Sequence, residues 1–368
     1  MPKEQQTVLE IDLNALTHNY AYLKSKLKSE TKFLAVVKAF GYGSDSCEVA
    51  NHLQELGIDY FAVAYINEGV ALREAGITKP ILVLHPQPIN FITLIDFCLE
   101  PSIYSPTVLG KFIAKAAQEG LTDYPIHIKF NTGLNRLGFS ENQLEYIYSQ
   151  VIKAKSVKIK SIFSHMAASE DLNEKEFTKA QIASFERISK RFPLLFGYKP
   201  MLHMCNTSGV LNYPEAHFDM VRSGIGLYGF GNSEKEDKNF KPIATLKSVI
   251  SQIHNIGKGE TVGYNRAYKS VKLLKTATIP IGHADGIGRQ YGNGKGFVTI
   301  NGKQAPIIGN VCMDMIMVNV TDIDCAEGDE VVVFGAHPSA VEFAKTVNTI
   351  SYEIITAISQ RIKRVIIK

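Results

Sequence analysis

The sequence predicts a (β/α)₈ barrel of the TIM type followed by a mainly β domain. In the first 235 residues, eight short apolar segments are separated by segments of helical length. Strands spaced in this way form parallel sheets, and eight of them close a barrel. From residue 236 onward, short strand-like segments are separated by turns. A doubly wound open sheet is the alternative for the first half.

Each predicted barrel strand is an apolar run of four to seven residues that lies between helical patterns. Ala15–Leu27 can form a helix that Asp12 or Asn14 caps, and Phe177–Arg191 has apolar residues at helical spacing. The eight predicted strands are Phe33–Val37, Tyr60–Ala64, Ile81–Leu84, Leu99–Ile103, Pro125–Phe130, Lys160–Ser164, Met201–Cys205 and Asp219–Ile225.

The expected domain boundary lies in a polar, lysine-rich segment near Asn232–Lys241. We expect residues 1–235 to form the barrel and residues 236–368 the β domain, with residues 1–11 able to pair with either. In the second domain, Asn301-Gly302 is a hairpin signal between two apolar strands. The helical pattern of Ser339–Ile358 predicts one helix near the end of the chain.

Composition and charge exclude several classes of protein. The formal net charge is only +4, and the sequence contains no stripe of clustered basic residues, so we expect no nucleic-acid partner. Five dispersed cysteines without a C-x-x-C pair argue against a disulfide framework and against a metal site. No apolar segment approaches the length of a membrane span, and the N-terminal residues lack an apolar signal core. We therefore expect a cytoplasmic protein that does not bind membranes.

Lys38 directly follows the first predicted barrel strand, in the segment AVVKAFGYG at 35–43. Barrel active sites lie at the carboxyl ends of the strands. Burial there disfavours the charged form of an amine and makes it a nucleophile suited to forming a Schiff base. By position alone, a solvated lysine at a strand end is the more common case.

The segment around Lys38 resembles the V-V-K-A-x-x-Y-G motif of alanine racemases, which are fold-type III pyridoxal-phosphate enzymes. Further similar segments follow in the family's order: HIKFNTGLNRLG at 127–138, SHMA at 164–167, HMCNTS at 203–208 and FDMVRSGIGLYG at 218–229. VGY at 262–264, GNVCMD at 309–314 and ISYE at 350–353 continue the resemblance. All these segments agree with the family in the same order, and together they span nearly the whole chain.

This resemblance implies pyridoxal 5'-phosphate as the cofactor, with Lys38 as its Schiff-base lysine and as one catalytic base. Tyr264, contributed by the other subunit of a homodimer, would be the opposite base. Racemisation requires two bases because a proton leaves one face of Cα and another proton arrives on the opposite face. Taken alone, Tyr264 would be interpreted as a strand residue that packs its ring.

Other residues are assigned to the cofactor by the same resemblance. Arg222 would lie against the pyridine nitrogen, with His165 hydrogen-bonded to it. The alternative for Arg222 is a salt bridge to Asp219 or a similar carboxylate, and the alternative for His165 is an ordinary core histidine. The phosphate and the remaining cofactor atoms would be held by Tyr42, Asn206, Thr207, Gly224, Ile225 and Tyr352.

The amino-acid substrate would be held through its carboxylate. The resemblance assigns this contact to Arg136 and to the backbone N–H of Met313 from the other subunit. Lys129 matches a lysine that is carbamylated in many family members, where it steadies the arginine. The carbamate itself is invisible in a sequence, so the chemical state of Lys129 is a hypothesis.

Several positions depart from the family pattern, and three of them bear on the site. His283 replaces the tyrosine of the Y-A-D-G segment, and Asn310 replaces the arginine of G-R-x-x-M-D. Both correspond to positions at or near the substrate entrance and bear on specificity more than on reaction type. Asn131 replaces an aspartate and weakens the charge environment around Arg136. We expect small neutral amino acids as substrates, and D-alanine for peptidoglycan as the product.

Several other functions compete with an alanine racemase. A racemase of broader or different specificity, acting on serine or lysine, has the same motifs. A non-catalytic pyridoxal-phosphate-binding protein would lack the second domain and with it Tyr264, Met313 and Tyr352. A fold-type III decarboxylase would offer an acid to the ring nitrogen where this chain has Arg222. A nucleic-acid module in the β domain lacks a basic aromatic face.

Overall fold

The computed structural model describes residues 6–231 and 233–368. Residues 1–5 of the expected pairing segment and Asn232 of the expected linker lie outside the described residues. The chain divides into two compact units. The barrel unit consists of Thr17–Gly41 and Ser46–Phe240, and the sheet unit consists of the described residues up to Leu16, Tyr42–Asp45 and Lys241–Lys368.

Eight parallel strands close a barrel, in which β2 pairs with β9. The first strand of the chain, β1 (Val8–Asp12), belongs to the sheet unit. The barrel strands are β2 (Lys32–Val36), β3 (Tyr60–Val63), β4 (Ile81–Val83), β5 (Glu100–Ile103), β6 (Tyr124–Lys129), β7 (Val157–Phe163), β8 (Met201–His203) and β9 (Met220–Ser223). The predicted fold class is confirmed, and the doubly wound open sheet is excluded.

Helices connect the barrel strands. The first helix of the chain, Leu13–Lys24, begins where Asp12 Oδ1 accepts the N–H groups of Asn14 and Ala15 at 2.8 and 3.0 Å, so Asp12 is the capping residue. The other helices up to Phe240 are Ser46–Glu55, Ile66–Glu74, Phe91–Asp96, Pro106–Gln118, Leu144–Val151, Lys175–Phe196, Thr207–Asn212 and Glu234–Asp237. No helix of residues 6–231 and 233–368 combines the length and the apolar character that crossing a bilayer requires.

The barrel interior contains an apolar cluster and, separately, a group of polar side chains. The cluster is made by the buried residues Leu34, Tyr60, Ala62, Leu82 and Met220. Parallel strands are buried on both faces, which explains why the predicted strands are nearly continuous apolar runs. The buried polar residues within these strands include Glu100, His127, Ser161, His203 and Arg222.

The sheet unit is built on a nine-stranded, mostly antiparallel sheet, so the prediction of a mainly β second domain is confirmed. Its strand order is β11-β14-β17-β16-β15-β18-β10-β1-β19, and β12 pairs with β13 separately. β1 pairs with β10 and with β19, so the N-terminal strand pairs within this unit. The strands are β10 (Ala244–Val249), β11 (Gln252–Ile256), β12 (Thr261–Val262), β13 (Tyr268–Lys269), β14 (Leu274–Ile279), β15 (Phe297–Ile300), β16 (Lys303–Ile308), β17 (Ile316–Asn319), β18 (Glu330–Phe334) and β19 (Lys363–Ile367).

The predicted hairpin at Asn301-Gly302 is confirmed. Ile300 lies opposite Lys303 in the antiparallel pair β15–β16. The φ angles of Asn301 and Gly302 are 48° and 75°, which is the left-handed backbone that a two-residue type I′ turn requires.

The single helix predicted for Ser339–Ile358 is wrong. The structure has two helices there, Ala340–Lys345 and Ser351–Ala357. Asn348, between them, has a φ of 57°, which a continuous right-handed helix cannot contain. Apolar spacing continues across the break, so the pattern alone could not reveal it.

Candidate active site

Lys38 is partly buried just beyond the carboxyl end of β2. Ala39, Phe40 and Gly41 follow it with φ angles of 54°, 55° and 60°, a left-handed turn. Such a backbone costs about 1–2 kcal/mol for each residue that carries a Cβ, so other contacts must hold it. Burial lowers the pKa of Lys38, and the positive charge of Arg136 lowers it further. The amine is therefore closer to its neutral, nucleophilic form than a solvated lysine.

The carboxylate of Glu68 holds this turn. Its Oε1 accepts the N–H of Ala39 at 2.7 Å. Its Oε2 accepts the N–H groups of Ala64 and Tyr65 at 2.7 and 3.0 Å. Hydrogen bonds to a charged group contribute about 1.5–3 kcal/mol each, enough to offset the strain of the turn. One side chain thus ties the segments that follow β2 and β3 at the end of the barrel where Lys38 lies.

Arg222 lies on β9 with only 5% of its surface exposed. Its Nη1 donates to Nδ1 of His203 at 2.7 Å, and its Nη2 donates to the Ser164 carbonyl at 2.7 Å and to Nδ1 of His165 at 3.1 Å. Arg222 forms no ion pair with Asp219, whose Oδ2 accepts the N–H of Leu202 at 2.7 Å. The Nε–H makes no hydrogen bond with any residue that the structure describes. A charged group with a free donor in such a place suits a ligand with an acceptor.

Both histidines that contact Arg222 are neutral. Burial lowers the pKa of His165 and of His203 well below the ordinary value, and the charge of Arg222 lowers both further. Burial also lowers the pKa of Arg222 to about 10, so the guanidinium stays charged at neutral pH. The Phe163 ring stacks on His203 at 4.8 Å between centroids and lies 5.3 Å from the guanidinium carbon. These contacts fix Arg222 in one orientation.

Lys129, at the end of β6, is 8% exposed. Burial, followed by the charges of Arg136, Arg222 and Lys38, lowers its pKa to about 8. Its amine forms no hydrogen bond or ion pair within residues 6–231 and 233–368, and its nearest aromatic ring, that of Phe163, is 6.0 Å away. A buried amine that is partly neutral near pH 8 can react with carbon dioxide, and the carbamate formed would carry a negative charge among these cations.

Arg136 lies in the loop after β6 and is exposed within the chain. Asn131 organises this loop, because its Oδ1 accepts the N–H groups of Gly133 and Asn135 at 3.1 and 3.0 Å. Its Nδ2 donates to Asn135 Oδ1 at 2.9 Å. An aspartate could accept the two backbone bonds but could not donate the third. The departure at Asn131 therefore has a local structural use, in addition to removing a charge.

Thr207 and the loop after β9 form a cluster of buried donors. Thr207 Oγ1 is hydrogen-bonded to Ser223 Oγ at 2.8 Å and accepts the N–H of Gly226 at 3.3 Å. A Cβ on Gly226 would lie 2.6 Å from Thr207 Cγ2, so only glycine allows this approach. Gly224 and Ile225 are buried, and their N–H groups make no hydrogen bond within the described part of the chain. Buried free donors of this kind suit an anion such as phosphate.

Asn206 caps the short helix Thr207–Asn212. Its Oδ1 accepts the N–H of Gly209 at 2.9 Å and the hydroxyl of Ser169 at 2.7 Å. The side-chain oxygen of Asn206 is therefore engaged in the fold, where it orients the backbone that carries Thr207.

In the sheet unit, Tyr42 and Tyr352 lie with their ring centroids 6.1 Å apart. Burial raises the pKa of the Tyr42 hydroxyl, and Tyr352 raises it further, so this hydroxyl remains a hydrogen-bond donor. A Cβ on Gly43 would lie 2.1 Å from the Ile355 carbonyl oxygen, which requires glycine beside Tyr42. Arg364 donates to the Gly43 carbonyl from Nε and Nη2 at 3.0 and 2.9 Å and anchors the segment.

Tyr264 follows β12 and is 72% exposed within the chain. The interpretation that it packs its ring inside a strand is therefore wrong. Asn310 Nδ2 donates to the Tyr264 carbonyl at 3.1 Å, and Asn293 Nδ2 donates to Asn310 Oδ1 at 3.2 Å. Asn310 thus supports the backbone of Tyr264.

Met313 is 59% exposed and lies beside the segment of His283. The carbonyls of Cys312 and Met313 accept the N–H groups of His283 and Ala284 at 2.9 and 3.0 Å. A Cβ on Gly282 would lie 2.4 Å from both carbonyl oxygens, so the contact requires glycine. The N–H of Met313 makes no hydrogen bond with the described residues and remains available to a ligand.

Sequence reasoning predicted the contact between Arg222 and His165 but assigned no role to Glu68, Glu100, His127, Ser161 and His203. A signal existed for His127 and His203, since each is a polar residue within a predicted strand and within a segment that carries the family resemblance. Glu68 stands three residues after Tyr65, at the spacing of a capping box. No sequence signal connects Glu100 with these histidines.

Two family models match the chain. The alanine racemase N-terminal domain matches residues 11–231, and the alanine racemase C-terminal domain matches residues 243–366. The chain belongs to the alanine racemase family. The resemblance based on the motifs is therefore confirmed.

Full-length relatives and solved structures of the alanine racemase family are similar along the whole chain. Alanine racemase 1 of Clostridium acetobutylicum is 37% identical over 98% of this chain and 95% of that protein. The alanine racemase of Clostridium difficile 630 superposes with a TM-score of 0.92 at 32% identity, covering 99% of this chain and 96% of that one. The Bacillus anthracis enzyme with bound L-Ala-P gives a TM-score of 0.92 at 30% identity, covering 100% and 96%. The Bartonella henselae alanine racemase, solved with covalently bound pyridoxal phosphate, gives 0.90 at 29%, covering 99% and 100%.

Proposed function

We propose that the chain interconverts L-alanine and D-alanine with pyridoxal 5'-phosphate, and that Lys38 and Tyr264 of the partner subunit are the two bases. Membership of the family supports a pyridoxal-phosphate-dependent racemase. The observation that carries the residue assignment is the group of barrel residues around Lys38 and Arg222, an amine with a lowered pKa together with a guanidinium whose Nε–H has no acceptor among the described residues.

The donors of the barrel unit match the functional groups of this cofactor. Lys38 offers an amine to its aldehyde, and Arg222 offers an N–H to its pyridine nitrogen. Thr207, Gly224 and Ile225 offer a hydroxyl and two backbone donors to its phosphate. In the sheet unit, the family resemblance alone assigns the hydroxyl groups of Tyr42 and Tyr352 to the cofactor. When bound, pyridoxal phosphate draws electrons from the Cα of an attached amino acid and makes that carbon acidic.

Arg222 controls how strongly electrons are withdrawn. With a pKa of about 10 it keeps its proton at neutral pH and donates a hydrogen bond without giving up the proton. A pyridine nitrogen that accepted this hydrogen bond would stay neutral, and the cofactor would then be a weaker electron sink. Arg222 would thereby favour rapid return of a proton to Cα over transfer of the amino group.

The two bases act on opposite faces of Cα. The Lys38 amine, with its lowered pKa, takes or returns the proton on one face. Tyr264 of the partner subunit serves the other face. Tyr264 and Met313 are exposed within a single chain, so a second copy of the chain can contact both. This exposure supports a homodimer in which the two residues serve the partner's active site.

The substrate carboxylate is held by Arg136 and by the backbone N–H of Met313 of the partner subunit. Carbamylated Lys129 would hold Arg136 by charge. Substrates are small neutral amino acids, and His283 and Asn310 near the entrance set the limit on side-chain size. We further propose that the enzyme works in the cytoplasm and supplies D-alanine for peptidoglycan.

The deciding experiment follows α-proton exchange in D₂O. The purified, cofactor-loaded protein is incubated separately with L-alanine, L-serine, L-lysine and L-glutamate, and both deuterium incorporation and product chirality are measured. We expect D-alanine to be the preferred product. Exchange with lysine or serine only would support the proposed mechanism and refute alanine as the substrate. Absence of exchange with all four would support a non-catalytic cofactor-binding protein.

Variants then separate the two bases. Lys38→Ala should abolish exchange in both directions, whereas Tyr264→Phe should retain exchange of one enantiomer's α-proton and lose racemisation. Tyr268→Phe removes a hydroxyl from the same unit and is the matched control, for which we expect activity within about twofold of wild type. Equal losses in Tyr264→Phe and Tyr268→Phe would contradict the role of Tyr264.

A further inference from the structure

A continuous chain of hydrogen bonds runs through the barrel interior from Arg222 to Glu100. Arg222 Nη1 is 2.7 Å from His203 Nδ1, and His203 Nε2 is 2.9 Å from Ser161 Oγ. Ser161 Oγ is 2.5 Å from His127 Nδ1, and His127 Nε2 is 2.7 Å from Glu100 Oε2. Strands β9, β8, β7, β6 and β5 supply one residue each, so neighbouring strands present the chain in order. His127, Ser161 and His203 have no exposed surface.

The two ends of the chain determine the position of every proton in it. Arg222 can only donate, and an ionised Glu100 can only accept. His203 must therefore accept at Nδ1 and donate from Nε2, and Ser161 must donate to His127. With both imidazoles neutral, four donors meet four acceptors. A protonated His127 would leave the Ser161 hydroxyl hydrogen without an acceptor among the described residues.

Glu100 is held in its ionised form. Burial alone would raise its pKa, but the hydrogen bond from His127 and the hydrogen bond and charge of Lys160 outweigh burial and lower the pKa below its ordinary value. Lys160 donates to Oε1 at 2.7 Å, and the Tyr60 hydroxyl donates to Oε2 at 3.0 Å. The accepting end of the chain therefore persists throughout the pH range in which enzymes work.

We propose that Glu100, His127, Ser161 and His203 are positioning residues, which orient Arg222 by fixing the proton of His203 on Nε2. The opposite tautomer of His203 would direct an N–H at an N–H of Arg222 and displace the guanidinium. The proposal rests on the proposed function for its consequence, because the oriented Nε–H is the donor assigned to the cofactor nitrogen. The direction of the chain is a property of the protein alone.

The chain also explains why Glu100 must be a carboxylate. In Glu100→Gln the side chain can donate as well as accept, so the chain can run in reverse. The hydrogen bonds of His127 and Ser161 would then reverse as well, and His203 would carry its proton on Nδ1. Both tautomers of His203 would become populated, and Arg222 would lose its fixed position in part of the molecules.

The test is ¹⁵N NMR of the purified protein with isotope-labelled histidine, in which loss of a signal in His203→Gln assigns the residue. In wild type we expect a protonated Nε2 and an unprotonated Nδ1 for His203. Glu100→Gln should show both tautomers. Tyr60→Phe removes one hydrogen bond from the same carboxylate oxygen but leaves both ends of the chain, and it should resemble wild type.

Kinetics provide the second measurement. In metal sites, mutation of a residue that only orients a ligand lowers activity or affinity by about 10- to 100-fold. Glu100 orients Arg222 in a comparable way, so we expect kcat of Glu100→Gln to fall roughly tenfold with KM changed by less than about twofold. Tyr60→Phe should keep both constants within about twofold. A general loss of packing would affect the two variants alike and would contradict the proposal.

The outcomes distinguish this proposal from the proposed function. A wild-type His203 that carries its proton on Nδ1 would overturn the chain whatever the activity. If alanine is not racemised but the tautomer is as expected, the substrate assignment fails and the chain stands. If Glu100→Gln does not fold, the wild-type spectrum between about pH 5 and pH 9 decides, and a change of tautomer within that range would overturn the proposal.

Discussion

Replacement of Lys129 by glutamine offers a direct test of its chemical state. The side chain is 8% exposed, and burial together with three neighbouring cations lowers its pKa from 10.5 to about 8. At pH 7 about one amine in ten is then neutral, compared with roughly one in three thousand for an unperturbed lysine. The neutral amine is the form that adds to carbon dioxide, so the reactive fraction at pH 7 is roughly 300-fold larger than for an unperturbed lysine.

The same pKa predicts a stability cost. The unfolded chain binds a proton at position 129 up to about pH 10.5 and the folded chain only up to about pH 8. Unmodified Lys129 therefore destabilises the fold by about 3 kcal/mol below pH 8, and the penalty is relieved as the pH rises between these values. A carbamate removes the penalty because an anion replaces the buried cation.

The assay is urea unfolding at pH 7 and fixed protein concentration, with carbon dioxide depleted or supplied. We expect carbon dioxide to stabilise wild type by up to about 3 kcal/mol and to leave Lys129→Gln unchanged. Lys158→Gln, at an exposed lysine of β7, should respond as wild type does. In parallel, ¹³C-labelled carbon dioxide should give a carbamate NMR resonance that is absent from Lys129→Gln. A wild type without that resonance and without a response to carbon dioxide would refute the reasoning.

Three further predictions concern the architecture of the site. Glu68→Gln replaces an acceptor of three backbone N–H groups with a side chain that also donates, and we expect a loss of about 1–3 kcal/mol in urea unfolding; an unchanged midpoint would contradict this. Tyr42→Phe should weaken pyridoxal-phosphate binding about tenfold in an absorbance titration without changing the fold, because one buried hydrogen-bond donor is lost. Gly282→Ala places a Cβ 2.4 Å from two carbonyl oxygens, and we expect the equilibrium constant for folding and the catalytic activity each to fall by at least about tenfold. Gly110→Ala, at an open helical position, should raise the free energy of unfolding by about 0.5–1 kcal/mol. Equal effects of the two variants would refute the packing argument.

Much of the candidate site could be predicted because motifs carry position as well as residue type. Lys38 follows a strand, and the predicted strand brings it to the carboxyl end of the barrel. The role predicted for Arg222 comes from the family resemblance alone, and its place on β9 agrees with the strand predicted at residues 219–225. The hydrogen-bond partners of Arg222 and the charges around Lys38 could not be predicted, however, because they depend on the packing of distant segments.

Two errors show where local patterns lose information. The apolar spacing of Ser339–Ile358 continues through the break at Asn348, because periodicity reports which face is buried and not whether φ changes sign. Tyr264, interpreted alone, resembled a packed strand residue, yet it follows a two-residue strand and is exposed. Whether such a residue is packed or exposed depends on the length of its strand and on its neighbours in space.

The sequence by itself determined the eight-stranded barrel, the β domain, the hairpin at Asn301-Gly302 and membership of a cofactor-dependent family. These follow from periodicity, turn chemistry and ordered motifs, which are local along the chain. Only the tertiary structure decided that Glu68 clamps the turn after Lys38 and that Glu100 is linked to Arg222 through two histidines and a serine. Parallel barrel strands place residues from separate parts of the sequence side by side, and hydrogen bonds between such residues depend on register and rotamer, which no local pattern encodes.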